Sequence, residues 1–277
     1  MHSAVLAVLF AFQWQTQGGR TTLLEDGKPV LVYNEREQLP ADVPQDRARC
    51  CYVHPIYTPG GTVVTDDFPK DHYHHRGLFW AWPVVKTDTG MYDLWMMRGI
   101  RHKGYSVLTK GPQIVAVNQW IASDKPIVRE QATITAYPAN GASRDVDFEL
   151  RLEALAGPVT LAGSKEQGKS YGGFSARFAP RTDTVIRTDQ GVLAKDDDLT
   201  AYQWAEMEAT YSGKRARLRI APDPKNPAAP HQWCLRKYGF AGASFPGRSE
   251  AVQSYTIEPG KPLVLRFRVT VADVGAN

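Results

Sequence analysis

Val146–Leu155 reads Val-Asp-Phe-Glu-Leu-Arg-Leu-Glu-Ala-Leu. Phe148, Leu150 and Leu152 alternate with Asp147, Glu149, Arg151 and Glu153. A period of two puts the apolar set on one face of a strand and the charged set on the other. Such a strand has one dry and one wet face, the pattern of antiparallel sheets. Leu263–Val271 repeats it, with Leu263, Leu265, Phe267, Val269 and Val271 set against Val264, Arg266, Arg268 and Thr270.

Outward from these stretches the chain reads as short strands punctuated by turns. Thr21–Leu24 and Pro29–Tyr33 flank Glu25-Asp26-Gly27-Lys28, a hairpin signal because Asp-Gly tolerates positive φ. Tyr105–Leu108 and Ile114–Ile121 flank Lys110-Gly111-Pro112, and Ile127–Tyr137 alternates. Met207–Tyr211 and Ala216–Ala221 flank Ser212-Gly213-Lys214. Arg76–Val85 is aromatic-rich, and its Pro83 belongs at an edge or bulge. Pro222–Pro230 is a proline-rich loop. Helical periodicity is confined to an ambiguous patch near Leu199–Glu208. The expected fold is therefore all-β, a large antiparallel β-sandwich formed by residues 20–277 as a single domain.

The 277 residues are 43% hydrophobic and 22% charged, an ordinary globular composition. The net charge of +4 is spread among acidic residues, without a basic run or a nucleic-acid motif, so nucleic acid is not an expected partner. Ala4–Phe12 is an apolar run of nine residues, against the roughly 20 that a membrane-spanning helix needs. It fits the apolar core of a secretory leader. Residues 1–19 are accordingly expected to be a signal peptide or an unstructured tract, and the protein to be secreted or periplasmic. Later segments offer no integral membrane span. Cys50, Cys51 and Cys234 allow a bridge from Cys234 to either neighbour, or three free thiols.

Five of the seven histidines lie between His54 and His102, three of them in Asp71-His72-Tyr73-His74-His75-Arg76-Gly77. If this stretch is extended, His72, His74 and Arg76 share a face. One reading is proton transfer by His72 and His74, with Asp67 orienting an imidazole, because imidazole titrates near neutral pH. A second is a divalent metal held by His54, His72 and His74. A third is structural, with imidazoles bonded to backbone at a rigid turn. Trp80 and Trp82 share a strand face, and Trp233 lies further on. With His75, Arg76 and Arg177 they suit a carbohydrate site, where sugar faces stack on indoles and polar groups bind hydroxyls.

The strings His54–Gly61, Val64–Pro69 and Asp71–Trp82 resemble a bacterial family labelled the PmoA family or methane oxygenase PmoA. Tyr171–Ser175 and Trp233–Gly239 resemble its later blocks. The resemblance implies a frequently exported, mostly uncharacterised family. By fold-level analogy it implies kinship with galactose-mutarotase-like β-supersandwiches, which handle sugars with histidines and acidic residues. It supplies no catalytic residues.

The expected function is thus an exported carbohydrate-active enzyme, epimerase or lyase-like, acting on a small-molecule or oligosaccharide substrate. No cofactor is required for it. A His-ligated, metal-dependent oxygenase or hydrolase and a non-catalytic carbohydrate-binding module are the alternatives. Neither a G-x-S-x-G elbow nor a G-x-G-x-x-G loop is present, which argues against serine-hydrolase and dinucleotide chemistry.

Overall fold

The computed structural model describes residues 12–164, 166, 169–247 and 253–275. Its strands form two nine-stranded sheets and one four-stranded sheet, with antiparallel pairing throughout the strand pairs. Among the described residues there is no α-helix, and one short 3-10 turn spans Gln45–Arg47. The fold is the expected all-β sandwich.

The second large sheet carries the stretches that predicted it. Ser143–Ala154 lies between Leu263–Asp273 and Lys125–Ala136. Phe148 pairs with Phe267, Leu150 with Leu265 and Leu152 with Leu263, all facing inward. On the wet face Arg268 Nε donates to Asp147 at 2.7 Å and Arg266 Nε to Glu149 at 2.8 Å. Such exposed pairs help fix register and contribute little stability, roughly 0–1 kcal/mol each.

The first large sheet differs. Its central strands, Leu78–Ala81, Gly173–Arg177 and Phe240–Ser244, are buried on both faces. One face packs on the second sheet, where the Phe174 ring stacks on Phe267 at 4.5 Å and meets Phe148 edge-on at 5.1 Å. The other face is roofed by loops. Pro83 follows the strand Leu78–Ala81, and the chain passes into Val84–Thr87 of the small sheet. That agrees with its missing backbone donor.

A polar knot sits in the core. Fully buried Glu130 accepts from Asn118 Nδ2 at 2.8 Å and Trp120 Nε1 at 2.7 Å, and lies 3.2 Å from His102 Nε2. Burial pushes the Glu130 carboxyl up, but His102 and these donors outweigh it and hold the pKa below the usual range. His102 is therefore a core residue.

Two expectations are corrected at the termini of elements. Residues 12–17 form an edge strand paired with Arg20–Glu25, so the tract 12–19 is not unstructured; residues 1–11 lie outside the described residues. The patch near Leu199–Glu208 holds strand ends, Asp197–Ala201 and Ala205–Tyr211, because sheet pairing overrides weak local propensity. All three cysteines are free and buried, with Cys50 Sγ 3.1 Å from Cys51 Sγ.

Phe174→Ala removes the ring on which the two sheets meet. It should cost about 3–5 kcal/mol of stability. Urea unfolding of wild type and variant checks this; a loss below about 1 kcal/mol would contradict the packing described.

Candidate active site

The histidine segment is not a strand. After the isolated bridge between Thr65 and Phe178, Phe68 takes φ of 51° and the chain winds into successive turns. His72 N donates to Pro69 O at 2.9 Å and His75 N to His72 O at 2.8 Å. The cause is Arg76. Its guanidinium is fully buried beneath the turns and donates to Tyr73 O at 2.7 Å, His75 O at 2.6 Å and Arg47 O. It also lies 3.5 Å from the Phe68 ring centroid and 3.5 Å from Asp67 Oδ1. Carbonyls that a strand would turn toward a neighbouring strand are satisfied by one cation instead.

Gly77 closes the motif. A Cβ there would lie 2.3 Å from Val53 O, so only glycine lets the chain re-enter the sheet at this point.

The turns gather three imidazoles that alternation would have split. His72 and His75 stack at 4.7 Å, His74 meets His75 edge-on at 4.5 Å, and His72 and His74 lie 5.6 Å apart. Tyr238 stacks on the other side of His72 at 5.2 Å. All four line a cavity of about 640 Å³ on the roofed face of the first sheet. Trp95, Tyr171 and Phe240 form aromatic walls, with Trp95 against Tyr171 at 5.0 Å. Asp93, Glu166 and Asp196 bring negative charge, while Arg98, Lys169 and Arg236 bring positive charge.

Within the cluster the histidines are not equivalent. His72 Nδ1 lies 2.9 Å from Asp71 Oδ2. Asp71 is in turn gripped by Arg177 Nη2 at 2.7 and 2.9 Å. Partial burial raises the Asp71 pKa, but the His72 and Arg177 contacts outweigh it and hold the carboxylate ionised. Since a carboxylate only accepts, His72 carries its proton on Nδ1 toward Asp71, which leaves Nε2 uncommitted. His74 is pushed down to about 3, chiefly by burial and then by His72 and nearby arginines. His75 is driven well below its ordinary value by burial and its two neighbours. Both are neutral at neutral pH. Burial raises the carboxyl of Asp93, and burial with Glu166 raises the Tyr171 phenol to about 12.

Several sequence expectations are relocated. Arg76 lies under the site rather than in it. Asp67 orients no imidazole; it accepts from Tyr52 OH at 2.7 Å and faces Arg76, with a pKa raised to about 6 by burial. Asp71 holds the orienting position instead. His54 bonds Thr65 Oγ1 at 3.1 Å and does not line the cavity, so His54, His72 and His74 do not form a ligand set. Among the described residues no group of three His, Cys, Asp or Glu side chains is placed to hold a metal ion. Trp80, Trp82 and Trp233 are fully buried. Trp80 stacks on Phe174, Trp82 donates to Phe245 O and Trp233 to Tyr202 O. They are core, not sugar platforms. His75 does line the cavity, and Arg177 backs it through Asp71.

Sequence reasoning missed Asp93, Glu166 and Lys169 as site residues. The run Tyr92-Asp93-Leu94-Trp95 carried a faint signal, an acid beside an indole outside a clear strand pattern.

No curated protein matches the chain in sequence. The sequence profile of a family of unknown function (DUF6807) matches residues 20–276. Among solved structures, a GalM/aldose epimerase homologue from C. elegans is similar at 10% identity and a TM-score of 0.44, covering 96% of this chain and 100% of that chain. A heparinase III gene product is similar at 9% identity and a TM-score of 0.34, covering 98% of this chain and 36% of that chain.

Arg76→Leu strips three carbonyls of their donor and leaves Asp67 buried without its cation. It should cost about 3–5 kcal/mol in urea unfolding; a near-neutral effect would contradict the role given to Arg76. His74 gives a pH test. Its folded pKa lies below the value of an unfolded histidine, so its contribution is present above about pH 6.5 and is lost as pH falls toward 3. His74→Asn should therefore lower the pH slope of unfolding free energy between pH 6 and 4 by close to one proton. An unchanged slope would show that His74 titrates normally.

Proposed function

The chain belongs to DUF6807, a family of unknown function, and we propose that its histidine-lined cavity is the active site of a carbohydrate-active enzyme that moves a proton at a substrate carbon, as epimerases and lyases do. The carrying observation is the Arg177–Asp71–His72 relay, with His72 on the wall of an open cavity. Asp71 fixes the tautomer and stabilises the imidazolium that forms when Nε2 accepts a proton. Arg177 holds Asp71 in place. Proton transfer of this kind contributes roughly 10²–10⁴ in rate.

The rest of the cavity suits the same chemistry. A C–H proton becomes removable when an adjacent carbonyl or carboxylate can take up negative charge, and Arg98 supplies positive charge for it, while Lys169 and Arg236 are paired with Glu166 and Asp198. Asp93, with a raised pKa, is the candidate second acid. Neutral His74 can donate and accept hydrogen bonds to hydroxyls. Tyr238, 43% exposed on the cavity wall, provides an apolar surface for the C–H face of a sugar ring. Loss of His54 from the cluster removes the geometry that had favoured a metal-dependent oxygenase or hydrolase.

An epimerase that inverts a carbon beside a carbonyl and a lyase both begin by breaking a C–H bond; the first returns a solvent deuteron to that carbon, and the second expels the neighbouring oxygen and leaves a carbon–carbon double bond, so proton NMR in D₂O reports either. The protein is incubated in D₂O with aldoses, ketoses and uronates, and deuterium incorporation is followed by proton NMR. Wild type should label at least one sugar. His72→Gln should slow labelling by about 10²–10⁴ with unchanged thermal unfolding, and Asp71→Asn by a smaller factor. Binding of sugars without labelling would favour a binding module. Labelling at the wild-type rate by His72→Gln would refute the assignment.

A further inference from the structure

A second cavity of about 470 Å³ adjoins the first, and the two share Asp93, Arg98, Glu166 and Tyr171 as walls. Each volume falls in the range of ligand sites, roughly 300–1,000 Å³. The shared ridge is fixed in place. Asp93 and Arg98 exchange backbone hydrogen bonds at 3.1 and 2.8 Å, and Met96 N donates to Asp93 Oδ1 at 2.8 Å. Tyr171 OH donates to Glu166 at 2.7 Å.

The floors differ in kind. The first cavity has imidazoles and ionised groups. Pro83, Val84, Met91 and Tyr92 floor the second. Met91 is 62% exposed, a large apolar side chain left at the surface beside a pocket. The Tyr92 ring is seated so close to Gly99 that a Cβ there would lie 3.2 Å from it, and its hydroxyl is 3.3 Å from Ser123 Oγ. The floor is therefore an apolar platform, with polar groups along the ridge and at Ser164.

We propose that the two cavities are one cleft with two subsites, His72 acting in the first, and that Pro83, Val84, Met91 and Tyr92 receive the neighbouring unit of a glycoside or oligosaccharide. The inference rests on the carbohydrate reading of the first cavity. It narrows the substrate from a free monosaccharide to a sugar carrying a second unit. That unit lays an apolar face on the platform while its hydroxyls reach Asp93 and Arg98.

Calorimetric titration of the full chain with monosaccharides, and with their methyl glycosides, phenyl glycosides and disaccharides, tests it. For the sugar that binds, a disaccharide or phenyl glycoside should bind at least about tenfold more tightly than the monosaccharide or methyl glycoside. Met91→Asp places a charge on the platform at an exposed position. It should remove most of that gain, leave monosaccharide affinity unchanged and leave thermal unfolding unchanged. Equal affinity for one-unit and two-unit ligands, or an unaltered gain in Met91→Asp, would overturn the second subsite. In that case sugar labelling that depends on His72 would leave the proton-transfer reading standing. If no sugar binds, both readings fall.

Discussion

The Arg76 guanidinium is the constraint on which the candidate site depends. Five residues, His72 to Arg76, are too few to form a helix and lack a strand partner of their own. Their carbonyls still need donors once buried. Arg76 supplies two of those donors from within the segment and a third to Arg47, with Asp67 and Phe68 beneath it. One buried cation thus sets the turn, and the turn sets which imidazoles meet. A fully buried charge is costly unless it is paired and hydrogen-bonded, and Nε has only the Asp67 carboxylate at 3.5 Å, so this arrangement tolerates little variation.

Above that motif, the parity of the first sheet separates core from site. Phe79, Ser175, Gly242, Cys234 and Asp198 run side by side across five strands, and Arg177, Phe240 and Arg236 form the adjacent row. Phe240, Cys234 and Arg236 line the cavity from these rows, and Arg177 clamps Asp71 beside it. The neighbours one step along, Trp80, Phe174, Ala243 and Trp233, form a row on the opposite face, in the core. A shift of one residue in any strand would exchange the two sets. The register that buries the tryptophans is the register that presents the arginines.

That parity explains what was legible in the sequence. The alternation at Val146–Leu155 and Leu263–Val271 is a local consequence of one wet face, so it could be read without a structure. The same logic failed at Asp71–Gly77, because period two holds only where a partner strand exists. The three histidines do line one cavity, but Arg76, expected to bind substrate, is committed to buried carbonyls. Trp80, Trp82 and Trp233 were assigned to sugar binding because residue type was visible and strand face was not. Asp93, Glu166 and Tyr171 approach His72 only through loops that fold over the sheet, and nothing in their spacing records that approach.

The proposed chemistry falls to one histidine of the three. Three imidazoles lie with centroids 4.5 to 5.6 Å apart, so charging one raises the cost of charging the next. Burial has already driven His74 and His75 toward the neutral form. Among the described residues, His72 alone of the three has a carboxylate partner, and that carboxylate is anchored by a guanidinium. His72 is thus the imidazole to which the proposed proton transfer is given. Its two neutral neighbours line the same wall as hydrogen-bonding groups that do not compete for the proton. On the proposed reading, burial and one ion pair divide labour among chemically identical side chains, and a short run of histidines forms a site rather than a positively charged patch.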